Sequence, residues 1–365
     1  MRVLLVGDAS NFHWTLAQGL RQLGHEATVI SNGSGWMNTN CDISIRRKSY
    51  GPVDSMMYLA KIMSLLPSWR GYDVVQIAGH SFFKLRPEKN LAIFRQLRRQ
   101  NNRIFMEALG TDHFYTKACF DGKTYRYSDF FIGDKPLNRP NYHVERDAYL
   151  EGANREANIA MAEECDGISA CLWEYYVAYE PEFASKLSYI PIPINLDENP
   201  LRNIPATIEQ LRFFIGIQHD RSILKGTDVM YDVLKQLERD YKNECLVTAV
   251  ESLPYKEYNR VMYESDVLID QLYSYTPATN ALLAMAKGIV AVSGAEPEYC
   301  NFIGAHDLQP VVNVLPDANE VYKTLEKLIL QRERIPQMCH DSRLFVEQHH
   351  DCRKVAQQFV EFWSR

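Results

Sequence analysis

The stretch that most constrains this chain is residues 266–300, which read DVLIDQLYSYTPATNALLAMAKGIVAVSGAEPEYC. Apolar residues 267–270 predict a buried strand, and residues 289–292 predict another. Between them, residues 280–287 predict an apolar helix that Gly288 ends. Strand, loop, helix and strand in this order form a right-handed βαβ unit, so we expect a doubly wound parallel sheet.

The loop in front of that helix has the chemistry of an anion site. Thr279 and Asn280 stand where a helix N-cap is expected, and Pro277 stiffens the loop ahead of them. Free amides at a helix N-terminus, at the carboxyl end of a parallel strand, are where α/β proteins bind phosphate. The loop is therefore a candidate site for a nucleotide diphosphate.

Composition narrows the class of protein. The chain has 365 residues, which is enough for two domains. No apolar run approaches the roughly 18 residues of a membrane span, and the N-terminus predicts a first strand and no signal peptide. The cysteines lie scattered, as expected for reduced thiols in the cytoplasm. A net charge of −6 argues against a nucleic-acid binder.

The first half alternates strands and helices. Residues 2–6, 12–23 and 27–30 predict a Rossmann-like strand, helix and strand, but a strict GxGxxG is absent, so we expect no dinucleotide cofactor. Residues 112–141 are rich in aromatic and turn residues and predict a long insertion on the rim of a site. Residues 145–165 predict one helix.

The second half repeats the alternation after a proline-containing linker at residues 189–194. We therefore predict two Rossmann-like domains, residues 1–193 and 194–341, with a cleft between them. Residues 342–365 predict a terminal helix.

Two cations follow the first strand of the second half. Arg221 and Lys225 lie at the carboxyl end of that strand, just before a helix. Two cations beside a helix N-terminus match a diphosphate in charge and in hydrogen-bond donors. A solvated polar loop is the alternative to this phosphate site.

These features resemble retaining glycosyltransferases of the GT-B fold, family 4. The resemblance lies in the Arg-to-Lys-Gly loop at residues 221–226, the strand at 266–269, the helix end AMAKG at 284–288 and the Glu-Pro-Glu turn that follows. The SYTPxxNALLAMAKG pattern is similar to a bacterial subgroup linked to surface polysaccharide assembly. The resemblance implies a nucleotide-sugar donor bound by the second domain, an acceptor bound by the first, and no metal or other cofactor. It also implies that the terminal helix, residues 342–365, packs back on the first domain.

One departure from the family bears on the chemistry. Its Glu-x7-Glu pair, which holds the donor sugar and the ribose, aligns with Tyr275 and Leu283. Tyr275 stays among the candidate donor-binding residues. Glu296 and Glu298, one strand later, are the candidates to replace the missing carboxylates, and Asn280 is a candidate sugar or phosphate ligand.

Two residues of the first half are candidate catalytic groups. His13 begins the first helix, where it is placed to orient an acceptor hydroxyl. Asp112 follows a strand, where it is placed to act as a base or a sugar ligand. The alternatives are a capping or packing role for His13 and a helix cap for Asp112.

Surface features suggest one further partner. Residues 55–66 carry an apolar helix face, and basic clusters stand at residues 46–48 and at Arg95, Arg98, Arg99 and Arg103. Core packing and solvated helix faces are one explanation, and peripheral contact with the inner face of an anionic membrane is the other. Cysteines and histidines near the C-terminus have no CxxC spacing, so we expect no metal site.

The predicted function is transfer of a sugar from a nucleotide diphosphate sugar to a saccharide or lipid-linked acceptor, with retention and without a metal. Two alternatives stay open. One is a catalytically silent GT-B protein that binds a glycan or a partner, and the other is a nucleotide-sugar epimerase. The sequence does not specify the sugar, the base, the acceptor or the oligomeric state.

Overall fold

The apolar runs of the sequence form strands that pair mainly in two parallel sheets. The computed structural model describes residues 1–33, 37, 40–139 and 141–365. The strands are β1 (Arg2–Val6), β2 (Glu26–Ser31), β3 (Ile43–Ser44), β4 (Val74–Ile77), β5 (Arg103–Ala108), β6 (Phe131–Ile132), β7 (Lys135–Pro136), β8 (Gly167–Ala170), β9 (Leu187–Tyr189), β10 (Leu211–Ile217), β11 (Cys245–Glu251), β12 (Val267–Ile269), β13 (Val290–Ser293) and β14 (Val312–Asn313).

Helices cover these strands. They are α1 (Phe12–Gln22), α2 (Pro52–Leu65), α3 (Pro87–Gln100), α4 (His113–Cys119), α5 (Tyr142–Leu150), α6 (Gly152–Glu164), α7 (Trp173–Phe183), α8 (Ser222–Lys225), α9 (Thr227–Asp240), α10 (Tyr255–Tyr263), α11 (Thr279–Ala286), α12 (Pro297–Phe302), α13 (Ala318–Leu330), α14 (Ile335–His349) and α15 (Cys352–Trp363). Among the described residues, none of these helices has the length and apolar character needed to cross a membrane.

The chain divides into two units, each built from separate stretches of sequence. Met1–Asp121, His143–Asn195 and Cys352–Arg365 form the first unit. Gly122–Tyr142 and Leu196–Asp351 form the second. The sequence analysis drew continuous ranges, and it had no local signal that residues 122–142 group with the second half.

The first unit is organised around a parallel sheet. Within the described part of the chain, its strands follow the order β3-β2-β1-β4-β5-β8-β9. Strands β1, β4 and β8 are buried along nearly their whole length, as expected for strands covered by helices on both faces.

Helix α15 belongs to the first unit, although it comes last in the chain. The indole Nε1 of Trp363 donates to Oε1 of Gln76 on β4 at 3.1 Å, in the interior of the unit. Arg103 donates to the carbonyl of Trp363 at 2.7 Å. The rings of Phe105 and Phe362 lie 5.1 Å apart in an edge-to-face contact. The C-terminal residues therefore complete the core of this unit.

The second unit contains the other parallel sheet, with the order β11-β10-β12-β13-β14 in its described residues. Residues of these strands and of α9 and α13 form its main core. Its fully buried members include Phe213, Leu234, Val267, Val290 and Leu325. The βαβ unit predicted from residues 266–300 is present as β12, α11 and β13.

Two helices expected to be continuous are broken. The helix predicted for residues 145–165 is α5 followed by α6, because Gly152 has a φ of +65°, in the left-handed region that ends a right-handed helix. The helix predicted from residue 342 is the end of α14 followed by α15, with His350 and Asp351 between them. Residues up to Asp351 belong to the second unit, and residues from Cys352 onward belong to the first.

A buried carboxylate ties the segment that follows the linker to the second sheet. Asp266, at the start of β12, accepts hydrogen bonds from Arg212 at 2.8 and 2.9 Å and from Arg202 at 3.2 Å. Arg202 is buried and follows the predicted interdomain linker. Removal of the carboxylate would leave a buried guanidinium without its anionic partner, which is strongly unfavourable.

We expect Asp266→Ala to destabilise the second unit by about 3–5 kcal/mol, because Arg202 then stays buried without a counter-ion. All five tryptophans lie in the sequence of the first unit, so tryptophan fluorescence reports that unit and far-UV circular dichroism reports both. The urea transition followed by circular dichroism should move to lower urea.

The control for this variant is Asp232→Ala, which removes an exposed ion pair with Lys235 on α9. We expect it to leave the transition in place, because exposed pairs stabilise little. Equal transitions for Asp266→Ala and the wild type would show that the arginine network does not stabilise the unit.

Candidate functional site

A topological switch point lies in the second sheet between β10 and β12. These two strands are neighbours, but the chain leaves β10 for β11 on one side and leaves β12 for β13 on the other. The loops after them, residues 218–226 and 270–278, therefore diverge at the carboxyl edge of the sheet. Open α/β sheets bind their ligands in the crevice formed at such a point.

The two diverging loops are held together at their base. The amide of Leu272 donates to the carbonyl of Lys225 at 2.8 Å. The loop after β13 packs on the second of them. A Cβ at Gly294 would lie 1.7 Å from the carbonyl oxygen of Ser274, so only glycine allows this approach.

A polar cluster lies where these loops meet. The Nζ of Lys225 is 3.6 Å from Oδ1 of Asp270, the residue after β12. The Nδ2 of Asn280 lies 3.1 Å from the same oxygen and 3.0 Å from the hydroxyl of Tyr258. The structure thus brings together Lys225 and Asn280, which the sequence analysis singled out from segments distant along the chain.

Helix α11 begins without a side-chain cap. The sequence analysis placed Thr279 and Asn280 at the N-cap, but the N-cap is Ala278 and Thr279 is the first helical residue. Alanine has no side-chain oxygen that can accept from the amides of the first turn. The prediction of the capping residue was therefore wrong by one position, and the N-cap side chain of α11 accepts from none of the first-turn amides.

Arg221 lies outside the polar cluster. It ends the 3-10 turn His219–Arg221, directly before α8, and its side chain is exposed. The structure therefore gives the two predicted cations different settings. Lys225 is held beside Asp270, whereas Arg221 lies on the surface of the same loop.

The segment 122–142 covers Tyr275. The rings of Tyr127 and Tyr275 stack with centroids 4.8 Å apart and an interplanar angle of 23°. The amide of Arg126 donates to the hydroxyl of Tyr275 at 2.6 Å. Only 2% of Tyr275 is exposed. This residue, which aligns with the first family glutamate, therefore packs against residues 122–142.

Glu296 and Glu298 share Arg126 as an ion-pair partner but differ in exposure. Oε1 of Glu296 accepts from the hydroxyl of Tyr127 at 2.7 Å and from Asn313 at 2.8 Å. The side chain of Glu296 is 3% exposed and that of Glu298 is 34% exposed. Glu296 therefore fastens residues 122–142 to the sheet, whereas the side chain of Glu298, also paired with Arg126, stays partly exposed.

The sequence analysis did not identify Arg126 as a site residue. It treated residues 112–141 as an aromatic rim, and the Tyr-Arg-Tyr run at 125–127 was the available signal. A cation between two tyrosines in a turn-rich insertion suits a contact with both aromatic rings and carboxylates. The partners of Arg126 lie far along the chain, so no local pattern identifies them.

His13 lies in a buried polar pair of the first unit. Its Nδ1 is 2.7 Å from the carbonyl of Gly7, and its Nε2 is 4.0 Å from Oε2 of Glu107. Burial lowers the pKa of His13 to about 4, although the bond to Gly7 opposes the shift. Burial raises the pKa of Glu107 well above its usual range. At neutral pH His13 is therefore neutral, and Nδ1 donates to Gly7.

Asp112 is the N-cap of α4. Its side chain accepts from the amide of Tyr115 at 2.9 Å and from the hydroxyl of Tyr179 at 2.5 Å. Burial raises the pKa of Asp112 to about 6, and these bonds oppose the shift. The capping role that was the alternative for Asp112 is present, and its catalytic role stays a prediction, as does that of His13.

No protein-family model matches this chain, and no curated protein matches it significantly. Several solved structures match this chain. Sucrose-phosphate synthase from Thermosynechococcus elongatus has a TM-score of 0.64 at 12% identity, and the match covers 100% of this chain and 98% of that one. Anabaena Alr3699/HepE, solved with UDP and glucose, has a TM-score of 0.62 at 11% identity over 100% and 99% of the two chains.

A third similar structure is WaaG, described as a glycosyltransferase involved in lipopolysaccharide biosynthesis. Its TM-score is 0.59 at 13% identity, and the match covers 99% of each chain. Identities this low establish the fold and no more. Together with the two parallel, doubly wound sheets, they confirm the predicted fold class: the chain has the GT-B fold with two Rossmann-like domains.

Proposed function

We propose that this protein is a glycosyltransferase that uses a nucleotide diphosphate sugar as its donor. The observation that carries the proposal is the switch point of the second sheet, where Lys225, Asn280 and the uncapped start of α11 converge. Glycosyltransferases share the fold, and HepE was solved with UDP-glucose.

In this proposal the second unit stabilises the leaving diphosphate. Negative charge grows on the phosphate oxygens as the bond to the sugar breaks. Lys225 and the first-turn amides of α11 supply a positive charge and donors that are already in place, and such groups lower the barrier most. Arg221, exposed on the same segment as Lys225, would add a second positive charge. Thr279 and Asn280 would contact the phosphates or the sugar.

The first unit would bind the acceptor, a saccharide or a lipid-linked saccharide, with His13 and Asp112 as the candidate groups. We propose retention at the anomeric carbon, no metal requirement and no cofactor, as in family 4 of the retaining enzymes. We also propose that the protein acts in bacterial surface polysaccharide assembly, in the cytoplasm at the inner face of the membrane.

One observation favours the alternative of a catalytically silent protein. Tyr275 and Leu283 occupy the positions of the family carboxylates, and both side chains are buried. A silent protein would bind a nucleotide without turnover. A nucleotide-sugar epimerase is the third candidate, and it would need carboxylates to move the proton. Either a transferase or an epimerase would have to use Glu298 as its carboxylate, because Glu298 is more exposed than Glu296.

A panel of nucleotide sugars, with and without saccharide acceptors, separates these candidates. Release of nucleoside diphosphate that depends on an acceptor is expected. Nucleotide binding without release would indicate the silent protein, and conversion of the sugar without an acceptor would indicate an epimerase. Absence of any nucleotide binding would overturn the transferase and the epimerase.

We expect Lys225→Ala to weaken binding of a nucleoside diphosphate about tenfold or more, because a hydrogen bond to a charged group contributes about 1.5–3 kcal/mol. Isothermal titration calorimetry measures the change. Lys235→Ala, on α9 and paired with Asp232, is the matched control and should bind as the wild type does. If Lys225→Ala and Arg221→Ala both keep wild-type affinity, the diphosphate does not bind here.

Glu298→Gln and Glu296→Gln should differ in effect. Glu298 is the more exposed of the two and its ion pair with Arg126 lies near the surface, where such pairs stabilise little. We therefore expect its variant to lower kcat/KM about tenfold while the Tm is unchanged. Glu296 is buried and fastens residues 122–142, so its variant should lower the Tm. Steady-state kinetics and thermal denaturation measure these effects, and wild-type kcat/KM in Glu298→Gln would exclude its proposed role.

A further inference from the structure

Helix α2 exposes an apolar stripe to solvent. Val53, Met56, Met57 and Met63 are 65%, 67%, 49% and 52% exposed. The spacing of three, four and ten residues from Val53 places them on one face of the helix. Tyr58 and Ile62 lie on the opposite face and are buried in the first unit. The stripe is therefore additional to the face that packs on the core.

Exposure of such a stripe to water is energetically unfavourable. Long apolar side chains in a continuous exposed row usually mark a surface that binds another apolar phase or partner. Methionine is flexible and adapts to an irregular apolar surface. Tyr50, at the start of the helix, is 73% exposed and adds a ring with an apolar body and a polar tip.

Cations border the stripe. Residues 44–64 contain Arg46, Arg47, Lys48 and Lys61 and a single acid, Asp54. Arg47 is fastened to the helix, because it donates to the hydroxyl of Ser55 and lies 4.4 Å over the ring of Tyr50. Lys61 lies on α2 itself and donates to the carbonyl of Ser44 at 2.7 Å. The surface is thus locally basic in a chain whose net charge is −6.

The other basic cluster found in the sequence is less suited to bind an anionic surface. Arg95 pairs with Glu164 through contacts of 2.6 and 3.0 Å, and Arg103 donates to the carbonyl of Trp363. Arg47 and Lys61 also make contacts within the first unit, so the apolar stripe is what distinguishes the two basic clusters. Helix α3 buries Ile93, Phe94 and Leu97 and has no comparable exposed row.

We propose that α2, with the preceding residues 46–50, docks on an anionic lipid bilayer. The Val53 and methionine face enters the boundary between headgroups and acyl chains, and Tyr50 lies at headgroup level. Arg47, Lys48 and Lys61 contact lipid phosphates. The rest of the chain is acidic, so this uneven distribution of charge orients the basic face of α2 toward the anionic membrane. The choice of a bilayer rests on the proposed function, which places the protein at the inner face of the membrane and includes a lipid-linked saccharide among its acceptors.

Flotation of the full-length protein with vesicles tests the proposal. Vesicles of phosphatidylcholine alone are compared with vesicles that contain phosphatidylglycerol, at low and high salt. We expect binding to the anionic vesicles, less binding at high salt and little binding to the neutral ones. A wild-type protein that floats with neither kind of vesicle would overturn the proposal.

Two variants separate the apolar and the ionic contributions. The triple variant Met56→Gln, Met57→Gln, Met63→Gln and the double variant Lys48→Glu, Lys61→Glu should each lose most of the bound fraction. The matched control is Leu330→Gln with Leu344→Gln, which changes side chains that are 56% and 43% exposed in the second unit. It should float as the wild type does, and wild-type thermal denaturation in every variant shows that the fold is intact.

Three results would contradict docking on a bilayer. One is wild-type binding by the methionine variant, and another is equal loss in the leucine control. The third is a dimer in size-exclusion chromatography that the methionine variant abolishes while no form binds vesicles, since a second copy would then cover the stripe. Nucleotide release with a soluble acceptor is measured in parallel, so a wild-type protein that releases nucleotide but binds no vesicles rejects the docking surface and leaves the transferase proposal standing.

Discussion

The pairing of β10 with β12 is the constraint on which the candidate site depends. Both strands run in the same direction, and the chain leaves them toward opposite sides of the sheet. Their following loops therefore diverge, and the bond from Leu272 to Lys225 holds the two loops together at the base. Lys225 comes from one part of the sequence, and Asn280 at the start of α11 comes from another. The strand order alone brings them together.

Much of this arrangement follows from local sequence. The run from residue 266 to 300 predicts β12, α11 and β13, because buried parallel strands are continuously apolar and Gly288 ends the helix. The strand ends then place Lys225 and Asn280 at one edge of the sheet. The N-cap was misplaced by one residue, since the sequence offers Thr279 as a better capping side chain than the alanine that the backbone uses.

Other parts of the site were not predictable from local patterns. Residues 122–142 join the second unit through Arg126 and Tyr127, whose partners Glu296 and Tyr275 lie far along the chain. For Glu296 and Glu298, the degree of burial in the folded structure determines the role of the side chain. Glu296 and Glu298 are two residues apart with the same chemistry, yet only the folded structure shows that Glu298 stays partly exposed.

The position of α15 has a consequence for how the protein is made. Trp363 bonds to Gln76 in the interior of the first unit, so the core of that unit lacks one wall until residues 352–365 have been synthesised. Residues 196–351 emerge earlier and already contain every strand of the second sheet. The first unit begins to be synthesised before the second, but its core is completed later. During translation its apolar surface therefore stays exposed for longer, which is the situation in which chaperones act.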